Sequence, residues 1–395
     1  MKTAIITDLF LGEFKQFKNL KNLLSGGAEV YQFELANRVL KPLFSQVDIF
    51  QFHGQPAILD KKIAVKNISS AQEINVRDYD LIILNNGFHC KNIFRALRHL
   101  KKEKYAGKIV ILHHGIIIRP AFSFTFAKRI GRLFLSEKSL KNYFRFLLEL
   151  LKWGPSRFLT IQRLNKITKK VDAVLSVDFD SIRYVNQKQK PKWQAIVNFV
   201  DTDVFCPKRR AAIPSQILVP RNLRYERGVD IVLELTKCLK TYYAKPFCFV
   251  LAGTGPLKNY LEKRIQKDNL SSYIKLIGHQ DHFKDLPRLM NESEIVLIPT
   301  YSDEGTSLSA LEAMACAKPV VMTNVGGLND IGEHLVNKLS SQFNARSIAK
   351  NILLFLNNKS LAKLLAEQAR TYVMKNNSIN LWTKQWKDFL KQTLI

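Results

Sequence analysis

Between Pro299 and Gly327 the chain reads PTYSDEGTSLSALEAMACAKPVVMTNVGG, and two carboxylates in it, Glu304 and Glu312, stand eight residues apart. The pattern predicts a strand ending at Pro299, an acidic loop, and a helix from near Ser307 to Ala317. Thr306 and Ser307 are good N-cap types, so the helix start offers free amides and a positive dipole end to an anion. Glu304 lies just before that anion site and Glu312 about one and a half turns into the helix. The two carboxylates can therefore bracket one phosphate-linked ligand and accept its hydroxyls. The plainer alternative is an amphipathic surface helix carrying two solvated glutamates.

Three other places carry residue types suited to the same chemistry. Gly26 and Gly27, in SGGAE, fall between a predicted strand and helix. They make either a tight turn or a close backbone approach to a ligand. His113 and His114 end a strand before Gly115, where a histidine is either packed or faces a cleft. VPRNLRYERGVD carries Arg221, Asn222 and Arg227, and a guanidinium fits phosphate oxygens through paired hydrogen bonds.

The first of these segments resembles glycosyltransferase family 4, whose signature is an E-x7-E pair within EG-[ST]-x5-EAMAxGxPVV. The match comprises Glu304, Gly305, Ser309, Glu312 to Ala315, Pro319 to Val321, and Gly326 with Gly327; Ala317 stands where the family has Gly. The resemblance implies that Glu304 contacts the donor sugar and Glu312 the nucleotide ribose. It also implies that backbone amides of Gly305, Thr306, Ser307, Leu308 and Ser309 face a diphosphate. GGAE is similar to the family's donor-phosphate loop, and HHG to its cleft histidine, with His114 in that role. VPRNLRYERGVD resembles GRL-x3-KG: Arg227 takes the Lys position, Asn222 the Arg position and Arg221 the Gly position. Arg221 then serves only if the turn shifts by one residue, so Arg227 ranks above it. AGTGPL, with Gly253 and Gly255, resembles the family's GxGP turn, and NFVDTDVF its domain junction, with Phe199 in place of Gly. On this reading Glu304, His114 and Arg227 are the catalytic residues. Transfer proceeds with retention, the nucleotide sugar is a substrate, and neither a cofactor nor a metal is required.

These residues need a frame, and the alternation of short β-branched runs with helical stretches supplies one. TAIITDLF, VDIFQF, DLIILNN, KIVILHHG, VDAVLSV and QAIVNF read as strands, with helices predicted over Glu29–Leu40 and Lys91–Lys104. SQILVPRNL begins a second set that runs through PFCFVLAG, IKLIGH, EIVLIPT and PVVMTN. The expectation is an α/β chain of two Rossmann-like doubly wound domains facing each other across a cleft, which the family resemblance implies is of GT-B type. The first spans 1–196, completed by a returning helix at 378–395, and the second spans 197–377. Ligands in such sheets sit beyond the carboxyl ends of the strands.

Composition narrows the partners. Five scattered cysteines without a CxxC pair indicate neither a disulfide framework nor zinc. The net charge of +28 is lopsided, with 34 Lys/Arg against 15 Asp/Glu in residues 1–200. Residues 119–170 carry 13 basic and two acidic residues, and KNYFRFLLELLKW reads as a helix with a broad apolar face edged by cations. That face suits either an anionic membrane surface or packing on the first sheet. Together with the basic segment, the family resemblance implies as partners a nucleotide-diphosphate sugar, a saccharide or lipid-linked acceptor, and the inner face of the cell membrane, where a cytoplasmic protein would act peripherally in polysaccharide or lipopolysaccharide synthesis. A nucleotide-sugar epimerase of the same fold and a basic nucleic-acid-binding protein are the alternatives; the absence of a recognisable nucleic-acid-binding module speaks against the latter.

Overall fold

A computed structural model describes residues 1–10, 27–85, 91–114, 161–208, 212–301 and 304–394. Fourteen strands among the described residues form two sheets. The first contains β1 (Lys2–Leu9), β2 (Gln46–His53), β3 (Ala57–Asp60), β4 (Ile63–Asn67), β5 (Leu81–Asn85), β6 (Lys108–His113), β7 (Ala173–Ser176) and β8 (Trp193–Ala195). Their order is β3-β4-β2-β1-β5-β6-β7-β8, parallel except for the edge pair β3 and β4. The second contains β9 (Ile213–Pro220), β10 (Cys248–Ala252), β11 (Ile274–Gly278), β12 (Ser293–Ile298), β13 (Val320–Thr323) and β14 (Leu339–Ser341), all parallel, in the order β11-β10-β9-β12-β13-β14.

The central strands read as continuous apolar runs because helices cover both faces. Every residue of LIILN in β5 is buried, as are the last six of β9. On one face of the first sheet Ile5, Ile49, Ile83 and Leu112 pack with Tyr31, Val39, Trp382 and Trp386. On the other face Ile6, Ile82 and Ile111 pack against Ile93, Leu97 and Leu100 of the helix Lys91–Lys102. The C-terminal helix Ile379–Leu394 thus closes the first domain's core, its two tryptophans almost fully buried.

In each sheet the strand order reverses beside the strand that comes first in its domain. β1 lies between β2 and β5, and β9 between β10 and β12. Crevices open at such switch points beyond the carboxyl ends of the strands. The residues at or just beyond those ends are Asn85, the last of β5, His114 after β6, Arg221 after β9, and Thr300 and Glu304 after β12.

Several elements differ from the sequence pattern. The predicted helix at Glu29–Leu40 starts at Gly27 and changes to π-helical geometry over Leu35–Leu40. QAIVNF contributes only the short β8, because its apolar residues Ile196 and Phe199 turn into the core instead of extending the ladder. The hairpin of β3 and β4, the helix Asp285–Glu292 and β14 are too short to stand out in the sequence, the strands at three to five residues and the helix at eight with Pro287 inside it.

Candidate active site

The strand β12 delivers Pro299 and Thr300 into the cleft, and the chain then turns into the helix Leu308–Ala315 with Ser307 as its N-cap. Ser307 does not cap with its own hydroxyl. Its Oγ accepts instead from Arg221 Nη1 at 3.0 Å. The first-turn amides of Leu308, Ser309 and Ala310 lie where an α-helix has no partner for them within itself, leaving a positive end for an anion. Gly327 packs so closely on the Gly305–Thr306 backbone that a Cβ there would stand 2.5 Å from Thr306 N, and its own amide donates to Glu304 O at 3.0 Å.

Glu304 is the electrostatic centre. It is buried and accepts from Thr300 Oγ1 at 2.9 Å, from Arg227 Nη1 and from Arg221 Nη2. Burial alone would raise its pKa, but the two guanidiniums outweigh that and hold the carboxyl below its usual value. Arg221 is the better connected cation. It is 7% exposed and also donates to Thr300 Oγ1 at 2.8 Å, while the Arg227 side chain is 33% exposed. Asn222 is exposed instead. The turn after β9 therefore brings Arg221 to Glu304, reversing the order that ungapped spacing predicts for Arg221 and Arg227.

Gly253 and Gly255 lie behind this cation. Both have positive φ, and a Cβ on either would meet the carbonyl of Arg221 or of Leu223 at 2.3 or 2.5 Å. They let the turn after β10 press against the Arg221–Leu223 backbone, which Leu223 N secures by donating to Thr254 O at 2.8 Å. Gly228, also at positive φ, stands so near Pro299 that a Cβ would fall 1.7 Å from its carbonyl oxygen, which brings Arg227 beside the acidic loop.

Glu312, in the second turn of the helix, is buried and lies 3.6 Å from His282 Nε2. Burial pushes Glu312 up to about 8 and His282 down to about 4. His282 comes from the loop after β11, where it packs on Phe205 and Phe283 with centroids 5.4 and 4.8 Å apart. No sequence pattern singles it out, since nothing local links it to Glu312.

The first domain meets this site directly. Gly27 abuts Leu308, with 3.3 Å from a would-be Cβ to Leu308 Cδ1; Gly26 lies outside the described residues. Thr306 Oγ1 donates to Val177 O at 2.7 Å and accepts from Asn198 N at 2.8 Å, tying the helix start to the junction. His113 is fully buried with its Nε2 3.1 Å from Ser181 Oγ, whereas His114 is half-buried at the end of β6, its Nε2 2.7 Å from Asn85 Oδ1. Most of the basic stretch at 119–170, with its amphipathic segment at 141–153, lies outside the described residues. Among the described residues no helix is long and apolar enough to cross a membrane, and no three His, Cys, Asp or Glu side chains converge as a metal site.

Comparison with known proteins bears on this geometry. Residues 208–372, which hold Arg221, Arg227, Glu304 and Glu312, match the family described as glycosyl transferases group 1. An uncharacterised glycosyltransferase of Methanocaldococcus jannaschii is 34% identical over 309 residues, spanning 75% of this chain and 82% of that protein. The chain belongs to the group 1 glycosyltransferases. The glycogen synthase of Mycobacterium tuberculosis is 30% identical over a shorter stretch, 34% of this chain and 31% of that enzyme. Two solved structures show the fold. Anabaena HepE in complex with UDP has a TM-score of 0.70 at 16% identity, covering 99% of this chain and 100% of its own. Sucrose-phosphate synthase of Thermosynechococcus elongatus has 0.74 at 15%, covering 99% and 98%. The architecture of this glycosyltransferase is GT-B.

Proposed function

We propose that this glycosyltransferase moves a sugar from a nucleotide-diphosphate donor to a saccharide or lipid-linked acceptor, with retention at the anomeric carbon. The observation that carries the reading is the buried cluster of Glu304, Arg221 and Arg227 at the start of the Leu308–Ala315 helix, facing Gly27 across the cleft. Two guanidiniums and a set of helix amides around one carboxylate suit a leaving diphosphate joined to a hydroxyl-rich sugar. Glu304 takes hydroxyls of the transferred sugar, and Glu312, one face further along the helix, takes the ribose diol.

In the step itself the acceptor oxygen bonds to the anomeric carbon on the face the diphosphate leaves. The bond from that carbon to the phosphate oxygen breaks, and the acceptor's proton passes to that phosphate oxygen. Charge growing on the diphosphate is met by Arg221, Arg227 and the amides of Leu308 and Ser309, so the reaction requires no resident metal or cofactor. The protein's contribution is positioning and preorganised charge rather than covalent chemistry. The basic first half of the chain, and the amphipathic segment at 141–153, suit an acceptor held at the anionic inner membrane face, in polysaccharide or lipopolysaccharide synthesis.

The test is release of nucleoside diphosphate from UDP-, GDP- and ADP-sugars with membrane lipid extract as acceptor, for wild type and Glu304→Ala. Release that needs the extract and vanishes in the variant supports the proposal. No release from any donor, together with no thermal stabilisation by any nucleotide, overturns it.

A further inference from the structure

His114 sits at the carboxyl end of β6, and what it can offer a ligand depends on which ring nitrogen bears its proton. That is decided by a short chain of hydrogen bonds running back into the sheet. Thr7 Oγ1 donates to Leu9 O at 3.1 Å. A hydroxyl has one proton, so towards Asn85 the same oxygen can only accept. Asn85 therefore turns its amino group to Thr7, with Nδ2 donating to Oγ1 at 3.1 Å, and its carbonyl oxygen to His114, 2.7 Å from Nε2. A carbonyl oxygen accepts only, so Nε2 must carry the hydrogen. Thr7 and Asn85 are 1% and 4% exposed, which keeps water from offering an alternative partner.

The ring's orientation is fixed from another side. Tyr31 stands edge-on to it with centroids 5.1 Å apart, and the Tyr31 hydroxyl accepts from Trp386 Nε1 at 2.7 Å and Trp382 Nε1 at 3.2 Å. The returning C-terminal helix thus holds the phenol that holds the imidazole. Burial depresses His114 to about 4, so at neutral pH the ring is uncharged.

We propose that Asn85, anchored by Thr7, is a positioning residue that locks His114 in the Nε2–H tautomer and presents Nδ1 as a hydrogen-bond acceptor for a hydroxyl of the transferred sugar. This rests on the proposed function, in which His114 faces the donor sugar. It assigns His114 the recognition of a hydroxyl and not the role of a proton donor or a cation beside the diphosphate.

The tautomer is measured without any ligand, by two-bond nitrogen–proton correlation on the protein labelled at histidine nitrogen, with His114 assigned by His114→Gln. A protonated Nε2 and a bare Nδ1 between pH 6 and 8 are expected. Asn85→Leu should give a mixture of tautomers and lower kcat about ten-fold, the size of one hydrogen bond, with affinity unchanged for whichever of UDP, GDP and ADP the wild type binds. Asn85→Asp, which keeps an acceptor opposite Nε2, should restore the single tautomer. Should Asn85→Leu fail to fold, Thr7→Val removes only the anchoring hydroxyl and should loosen the tautomer in the same direction. A wild-type His114 protonated at Nδ1, or a tautomer indifferent to both variants, overturns the proposal. If the tautomer is as stated but no donor is turned over, the transferase reading fails and this assignment of the proton stands; if donors are turned over and the tautomer is reversed, only this inference fails.

Discussion

Glu312 offers a test in which the same side chain weakens the fold and serves the ligand. Its carboxyl, buried beside an uncharged His282, is pushed up to about 8 from 4.5. Between those values the folded chain holds a proton that the unfolded chain has released, so stability falls as pH rises through the interval. At about 1.4 kcal/mol per pH unit, the cost to the folded state is about 1 kcal/mol at pH 5.5 and approaches about 5 kcal/mol at pH 9. Glu312→Gln keeps the shape and removes the ionisation. In urea unfolding the variant should gain on wild type as pH rises, the gap widening by about 3–4 kcal/mol from pH 5.5 to pH 9. The same variant should bind nucleoside diphosphates about as tightly as wild type at neutral pH, because the amide, like the protonated acid, donates one hydrogen bond and accepts another. A gap that does not change with pH would show that Glu312 is ionised in the folded chain at neutral pH, and that its neighbours compensate for burial instead of leaving the carboxyl protonated.

Three further outcomes follow from single features. Ala317 lies at φ 50°, with its amide donating to Met314 O and that of Lys318 to Ala313 O, the left-handed turn that ends a helix; Ala317→Gly should stabilise by about 0.5–1 kcal/mol in denaturant titration, the left-handed penalty less the entropy a glycine adds to the unfolded chain. Arg221→Met strips the buried carboxylate of its most enclosed partner, so a loss of about 3–5 kcal/mol is expected, read by urea unfolding, and Arg227→Met should cost less because its side chain is partly solvated. Trp386→Phe removes one donor to the Tyr31 hydroxyl and leaves a cavity in the core, and should cost about 2–3 kcal/mol in the same assay, with a matching loosening of the first domain's hydrogen-exchange protection.

Much of the site is legible in the sequence because its residues are close in the chain. Glu304, Ser307, Leu308 and Glu312 belong to one turn and one helix, so their spacing alone sets them along an anion-binding helix start. The two-sheet frame is legible because buried parallel strands are continuous apolar runs, as in LIILN and QILVP. What escapes has its cause in contacts between distant segments. Spacing ranks Arg221 below Arg227 because the geometry of the turn after β9 depends on Gly253 and Gly255, about thirty residues on, pressing against it. His282 reaches Glu312 from another strand's loop, and Asn85 reaches His114 from the neighbouring strand, so neither pair leaves a local pattern. The C-terminal helix shows two tryptophans four residues apart, yet their partner Tyr31 lies at the other end of the chain.

The site's charge is small although the chain's is large. At neutral pH Arg221 and Arg227 are positive and Glu304 is negative, while burial keeps Glu312, His282 and His114 uncharged. The cluster therefore carries a net single positive charge before ligand arrives, supplemented by the dipole of the Leu308–Ala315 helix. Were Glu312 ionised, the cluster would be neutral and a diphosphate would enter against two carboxylates. Its protonation in the open cleft also lets Glu312 donate one hydrogen bond to a ribose oxygen and accept another, which suits a diol better than repulsion between an anion and the nearby phosphates would. The +28 of the whole chain plays no part in that local balance. Two-thirds of the excess lies in residues 1–200, outside the segment that carries Arg221, Arg227, Glu304 and Glu312.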